Sequence, residues 1–77
     1  MTHDELRDKL LNNNVAITLE NNAVINATLQ DSVTSTDGVP LNKLLEITDQ
    51  SFILAWDLDN SMWITINMNT VINAETF

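Results

Sequence analysis

The 77-residue sequence predicts a mostly β fold, a short N-terminal α-helix followed by about five or six short strands in the pattern of a small barrel. A helix start signal stands at Thr2. From Val15 onward the apolar pattern repeats every second residue. The apolar runs are short and separated by turns rich in Asn, Asp and Ser.

The helix is expected over about residues 3–12. Thr2 can cap it, and Glu5 sits three residues later, the capping-box spacing. Asp4 and Glu5 occupy the first turn, where the helix dipole favours negative charge. Leu6 and Leu10 share a face widened by Leu11, and Glu5 and Lys9 are placed for a weak i,i+4 pair. Asn12-Asn13-Asn14 ends the helix, because Asn tolerates the left-handed conformation used there.

Val15, Ile17 and Leu19 then alternate with Ala16, Thr18 and Glu20, a half-buried strand. Asn21-Asn22 can supply the positive-φ positions of a tight hairpin, and Ile25, Ala27 and Leu29 resume the alternation. Residues 31–43 hold the only glycine and the only proline and are expected to form a loop, with a strand extension near Val33. Residues 44–47 read as a short strand and residues 48–51 as a turn. The nearly all-apolar run Phe52 to Trp56 reads as a strand covered on both faces. Residues 57–61 turn the chain, residues 62–66 form a strand, Asn67-Met68-Asn69 breaks it, and residues 70–74 form the last strand.

Composition restricts function. Eleven Asp/Glu against three Lys/Arg give a net charge of −8, so no basic stripe exists for general nucleic-acid affinity. The absence of cysteine excludes disulfides, thiol nucleophiles and Cys-based zinc sites. Apolar residues make up 44%, enough for a folded domain rather than an acidic tail. A domain of this size is marginal alone, so oligomerisation is expected. Met1 to Glu5 lacks the order of a signal peptide, and no apolar run approaches a membrane span. The chain therefore reads as cytoplasmic with no membrane partner.

Residues 15–29 (VAITLENNAVINATL) resemble the first motif of Sm and Sm-like proteins, in which a strand ending in leucine turns into a strand carrying a small residue and a leucine. Residues 48–56 (TDQSFILAW) are similar to the family's aspartate turn and following apolar strand, especially as bacterial Hfq writes it. Residues 62–74 (MWITINMNTVINA) are similar to its last two strands, joined by a tight turn. With the helix, and with residues 32–43 as an insertion, the resemblance covers nearly the whole chain as a single domain. The pattern is also similar to small Sm-like proteins from phage and marine metagenomic sequences. The resemblance implies a strongly bent five-stranded, SH3-like barrel that assembles into a homo-oligomeric ring, the fourth strand of one subunit pairing with the fifth of the next.

The signature residues are mostly altered. The turn glycine is Asn22, and Ala27 stands where the family has glycine. Phe52-Ile53 replaces the asparagine expected after Asp49. Ser51 stands where Hfq places a base-stacking aromatic. Asn67-Met68-Asn69 stands where Sm proteins have Arg-Gly and Hfq has Tyr-Lys-His. Each change removes a base-stacking or phosphate-contacting group.

The candidate ligand or RNA contacts are therefore Asn67, Asn69, Asp49 and Ser51. Amides can read base edges but supply no charge attraction, and Asn equally serves to satisfy turn backbone. Trp56 or Trp63 could stack on bases, although alternating apolar positions suit core or interface better. Leu58, Met62 and Trp63 crowd the last hairpin with almost no lysine nearby and are the candidate subunit interface. Asp57-x-Asp59-x-Ser61 opens like a calcium loop, but Met62 and Met68 occupy the positions that need glycine and a bidentate carboxylate. No metal, cofactor or catalytic constellation is expected. The resulting expectation is a non-catalytic, ring-forming binding or scaffolding protein with weak or atypical RNA binding. The alternative is an acidic nucleic-acid mimic or inhibitor directed at a basic partner.

Overall fold

The computed structural model describes residues 2–29 and 38–77. Its elements are α1 (His3–Leu10), β1 (Asn14–Leu19), β2 (Val24–Thr28), α2 (Leu41–Glu46), β3 (Phe52–Asp57), β4 (Met62–Asn67), a 3₁₀ turn (Met68–Thr70) and β5 (Val71–Thr76). The strands form one antiparallel sheet in the order β4-β3-β2-β1-β5. The expected strand near Val33 and half of the expected insertion, residues 32–37, lie outside the described residues, and residues 41–43 of the other half begin α2 instead of continuing a loop. No helix among the described residues is long and apolar enough to cross a membrane.

Helix α1 starts as its residues require. The Thr2 hydroxyl accepts a hydrogen bond from the Glu5 backbone N–H at 3.2 Å. Leu6 and Leu10 are fully buried. Asn12, at φ 60°, takes the chain out of the helix in the left-handed conformation. The exit is then tied to β2, with Leu29 N–H donating to Leu10 O at 3.0 Å and Asn12 N–H donating to Leu29 O at 2.6 Å. Lys9 does not pair with Glu5. Its Nζ donates to Ala74 O on β5 at 2.7 Å, a bond that also satisfies a carbonyl.

The β1–β2 hairpin pairs Thr18 with Val24 and encloses a three-residue loop. Leu19 and Ala23 close it, and only Asn22 of the asparagine pair has positive φ (66°). Asn21 instead accepts the Ala23 N–H through its side chain at 3.0 Å.

Residues 44–47 are not a strand. They belong to α2 and the turn after it, so the sheet has five strands among the described residues. Pro40 fixes the entry with φ −58°, and its carbonyl accepts from Lys43 and Leu44. A four-residue stretch such as Leu44-Leu45-Glu46-Ile47 does not distinguish strand from helix by periodicity, and here the preceding proline starts a helix that takes it in.

Strands β4 and β5 lie at opposite edges of the sheet, yet four residue steps join Asn67 to Val71. Four steps reach about 14 Å, whereas the edges of a flat five-stranded sheet stand about 19 Å apart. The sheet must curl. It remains open, because β4 and β5 share no ladder among the described residues. Inside the curl sit Leu6, Leu10, Val15, Ile17, Ile53 and Ile66, together with the small buried residues Ala27, Ala55 and Ala74.

Candidate functional site

The candidate ligand contacts converge at one end of the sheet, where two turns meet. In the first turn, the Asp49 carboxylate accepts the Ser51 N–H at 2.9 Å, and the Asp49 carbonyl accepts the Phe52 N–H at 3.0 Å. In the second, the Asn67 side-chain oxygen accepts the Asn69 N–H at 3.0 Å, and the Thr70 hydroxyl donates to the Asn67 carbonyl at 2.7 Å. Ser51 O accepts the Met68 N–H at 2.6 Å, which ties one turn to the other. The register of Phe52 opposite Asn67 continues that contact into the ladder.

This end is thus built from Asp49, Ser51, Asn67 and Asn69, but two of its polar oxygens are already committed to turn backbone. Asn69 and Asp49 are exposed; Ser51 and Asn67 are half-buried. The other side of the 3₁₀ turn reaches the β1–β2 turn, since Thr70 O accepts the Glu20 N–H at 2.8 Å. A depression of about 130 Å³ opens there, lined by Leu19, Glu20, Asn21 and Thr70. None of these three turns carries Lys or Arg, while Glu20 and Asp49 contribute carboxylates. The end can donate and accept hydrogen bonds, and its charge repels phosphate.

The candidate interface residues are separated by the structure. Met62 is 50% exposed, Leu58 is half-buried, and Trp63 is only 9% exposed. The Trp63 ring packs edge-on against Trp56, centroids 5.3 Å apart and planes at 86°. What Trp63 presents at the edge is its backbone, because among the described residues β4 is bonded on one side only. The apolar residue at the other edge is Ile72, 62% exposed, which the alternation of the sequence conceals. The ladder passes from Thr18–Asn73 to Leu19–Val71, so Ile72 is the extra residue of a bulge and points where a regular strand would not place it.

At the β3–β4 tip, Asp57 is buried and accepts three hydrogen bonds: Asp59 N–H at 2.9 Å, Asn60 N–H at 3.2 Å and Asn60 Nδ2 at 2.8 Å. The Asn60 side-chain bond, aided by the two backbone bonds, holds its carboxyl below the usual value of 3.8 against the opposing effect of burial. Asp59 in turn accepts from Asn26 Nδ2 at 3.1 Å. The carboxylates are therefore occupied in the hairpin, and no group of three metal-ligating side chains occurs among the described residues. A cleft of about 210 Å³ lies between α1 and the start of β3, floored by Leu29 and Ile53 and rimmed by His3 and Arg7. Sequence reasoning missed it, since only the packing of α1 on the sheet creates it.

No protein-family model, curated protein or solved structure matches the chain.

Proposed function

We propose that the chain is a non-catalytic, Sm-like binding or scaffolding module that closes into a homo-oligomeric ring and holds RNA only weakly. The observation that carries this reading is the short 3₁₀ turn joining β4 to β5, strands at opposite edges of one curled sheet. That arrangement supports a strongly bent, SH3-like barrel whose edges are completed by neighbours, β4 of one subunit against β5 of the next. Neither edge strand contains a lysine or arginine, and each exposes a large apolar side chain, Met62 on one and Ile72 on the other. Such edges invite pairing, and a rotationally closed ring uses them without leaving a free end.

The polar end of Asp49, Ser51, Asn67 and Asn69 supplies amides and hydroxyls without a cation. Its contact with RNA lacks the counterion-release energy that dominates ordinary RNA and DNA binding. Light scattering or native mass spectrometry at micromolar concentration is expected to give a multiple of the 8.6 kDa protomer mass. A stable monomer overturns the reading. RNA titrated over a salt series is expected to show weak association with little salt dependence; tight binding that steepens as salt falls contradicts the second half of the proposal.

A further inference from the structure

The cleft between α1 and β3 opens onto the side of a strand. Its lining includes Phe52, Ile53 and Leu54, three consecutive residues. Successive side chains of a strand point to opposite faces of the sheet, so one cleft meets all three only from the strand's edge. The β2–β3 ladder holds Ala27–Asp57 and Thr28–Trp56 and does not continue to Leu29 and Ala55. β2 departs there, because the N–H and the carbonyl of Leu29 are both bonded to the exit of α1. On its other side β3 pairs with β4 from Phe52 to Asp57.

The direction of the free groups follows from the alternation of the ladder. Ser51 O accepts from Met68, at the end of β4, whereas Leu58 N–H donates to Asn26 O on β2. Odd-numbered residues of β3 therefore bond toward β4, and even-numbered ones bond away from it. The Phe52 N–H is taken by the Asp49 carbonyl. Leu54 has its N–H and carbonyl aimed at the cleft, with no ladder partner there among the described residues.

Charge also sets the cleft apart. The chain has eleven Asp/Glu and three Lys/Arg, yet the cleft is lined by Arg7 and His3 and by no carboxylate. Arg7 is exposed and makes no ion pair among the described residues, while His3 stands 3.9 Å from Asp4. Leu29, Ile47 and Ile53 supply the apolar surface.

We propose that this cleft takes an extended peptide segment of a partner protein, which adds a short strand to β3 at Leu54. One apolar side chain seats on Leu29, Ile47 and Ile53, and a carboxylate, from a side chain or a chain terminus, meets Arg7. An unpaired strand edge is satisfied by another main chain, the mode in which backbone bonds give affinity and side-chain pockets give specificity. The volume of about 210 Å³ also favours a peptide, since small-molecule sites enclose about 300–1,000 Å³. The β4 and β5 edges take no part, so this inference does not rest on the ring.

The probe is acetyl-Thr-Val-Thr-Val-Asp-amide, titrated into the isotope-labelled full chain and followed by NMR. It is expected to shift the amide signals of Ile53, Leu54 and Ala55 and to slow hydrogen exchange at Leu54. Arg7→Gln, at an exposed position, should weaken this peptide about threefold and leave its Asn-amide counterpart unchanged. Acetyl-Thr-Val-Thr-Val with a free terminus should bind as well, and the tighter of the two carboxylate peptides names the source. N-methylating both valines or both threonines removes the main-chain donors of one side at a time, and one of the two should cost at least about tenfold. Equal binding of both N-methylated peptides overturns strand addition. Indifference to Arg7→Gln overturns the carboxylate contact. Shifts confined to Met62 or Ile72 place the peptide on the outer edges of the sheet and overturn the proposal, as does no shift at millimolar peptide.

Discussion

Ser61 holds φ at 52° in the β3–β4 turn, a conformation that strains any residue with a Cβ. Ser61→Gly is expected to raise stability by up to about 1 kcal/mol, and Ser61→Val to lower it by about 1–2 kcal/mol, as measured by urea unfolding. At the same tip, the Asp57 carboxyl titrates below 3.8 in the folded chain because Asn60 and two backbone N–H groups favour its charged form. A carboxyl depressed on folding adds stability above its unfolded value and loses it as pH falls through the folded one. Asn60→Ala should therefore cost about 1 kcal/mol at neutral pH. That cost should shrink as pH drops below about 4, where protonation removes what Asn60 was stabilising. A cost that stays constant down to pH 2.5 would show that Asn60 acts through packing instead.

Among the elements, α1 packs its apolar face into the core of the sheet. Leu6 and Leu10 are fully buried in the curl, and the helix is further tied by Lys9 to Ala74 and by Leu10 to Leu29. Leu10→Ala is expected to destabilise by about 2–5 kcal/mol in thermal or denaturant unfolding, the range for a cavity in a packed core. For a domain this small that approaches its whole stability. The start of α1, the β1–β2 hairpin and the apolar strand β3 were legible because caps, period-two alternation and a short apolar run are local. Helix α2 was not, since Leu44-Leu45-Glu46-Ile47 fits strand and helix alike, and the i,i+4 pair Leu41 and Leu45 faces outward instead of marking a core stripe. Ile72 was hidden for a related reason: a bulge shifts the phase of alternation, and no residue type announces a bulge.

For the whole molecule, the decisive feature is a pair of open edges in a curled sheet. Met62→Lys combined with Ile72→Lys should leave circular dichroism unchanged, because both side chains are exposed in the protomer. The same pair is expected to reduce the native mass to that of one chain, 8.6 kDa. Lysine on a strand edge is the device by which proteins prevent edge pairing. An assembly that survives both substitutions would place the subunit contact elsewhere. The clustering of Asp49, Ser51, Asn67 and Asn69 also belongs to this scale, since residues 49–51 and 67–69 meet only through the β3–β4 register and the Met68–Ser51 bond.

The sequence by itself determined the helix start, the order of apolar runs, the turn-forming asparagines and the charge that opposes phosphate. Each depends on residues a few positions apart, or on a sum over the chain that needs no coordinates. Tertiary structure decided which strand lies beside which, that β4 and β5 become edges, that Trp63 turns into the core, and that the leucines of α2 face outward. Those outcomes depend on how a five-stranded sheet must curl when three residues join its opposite edges, a constraint of length and spacing that no local pattern carries.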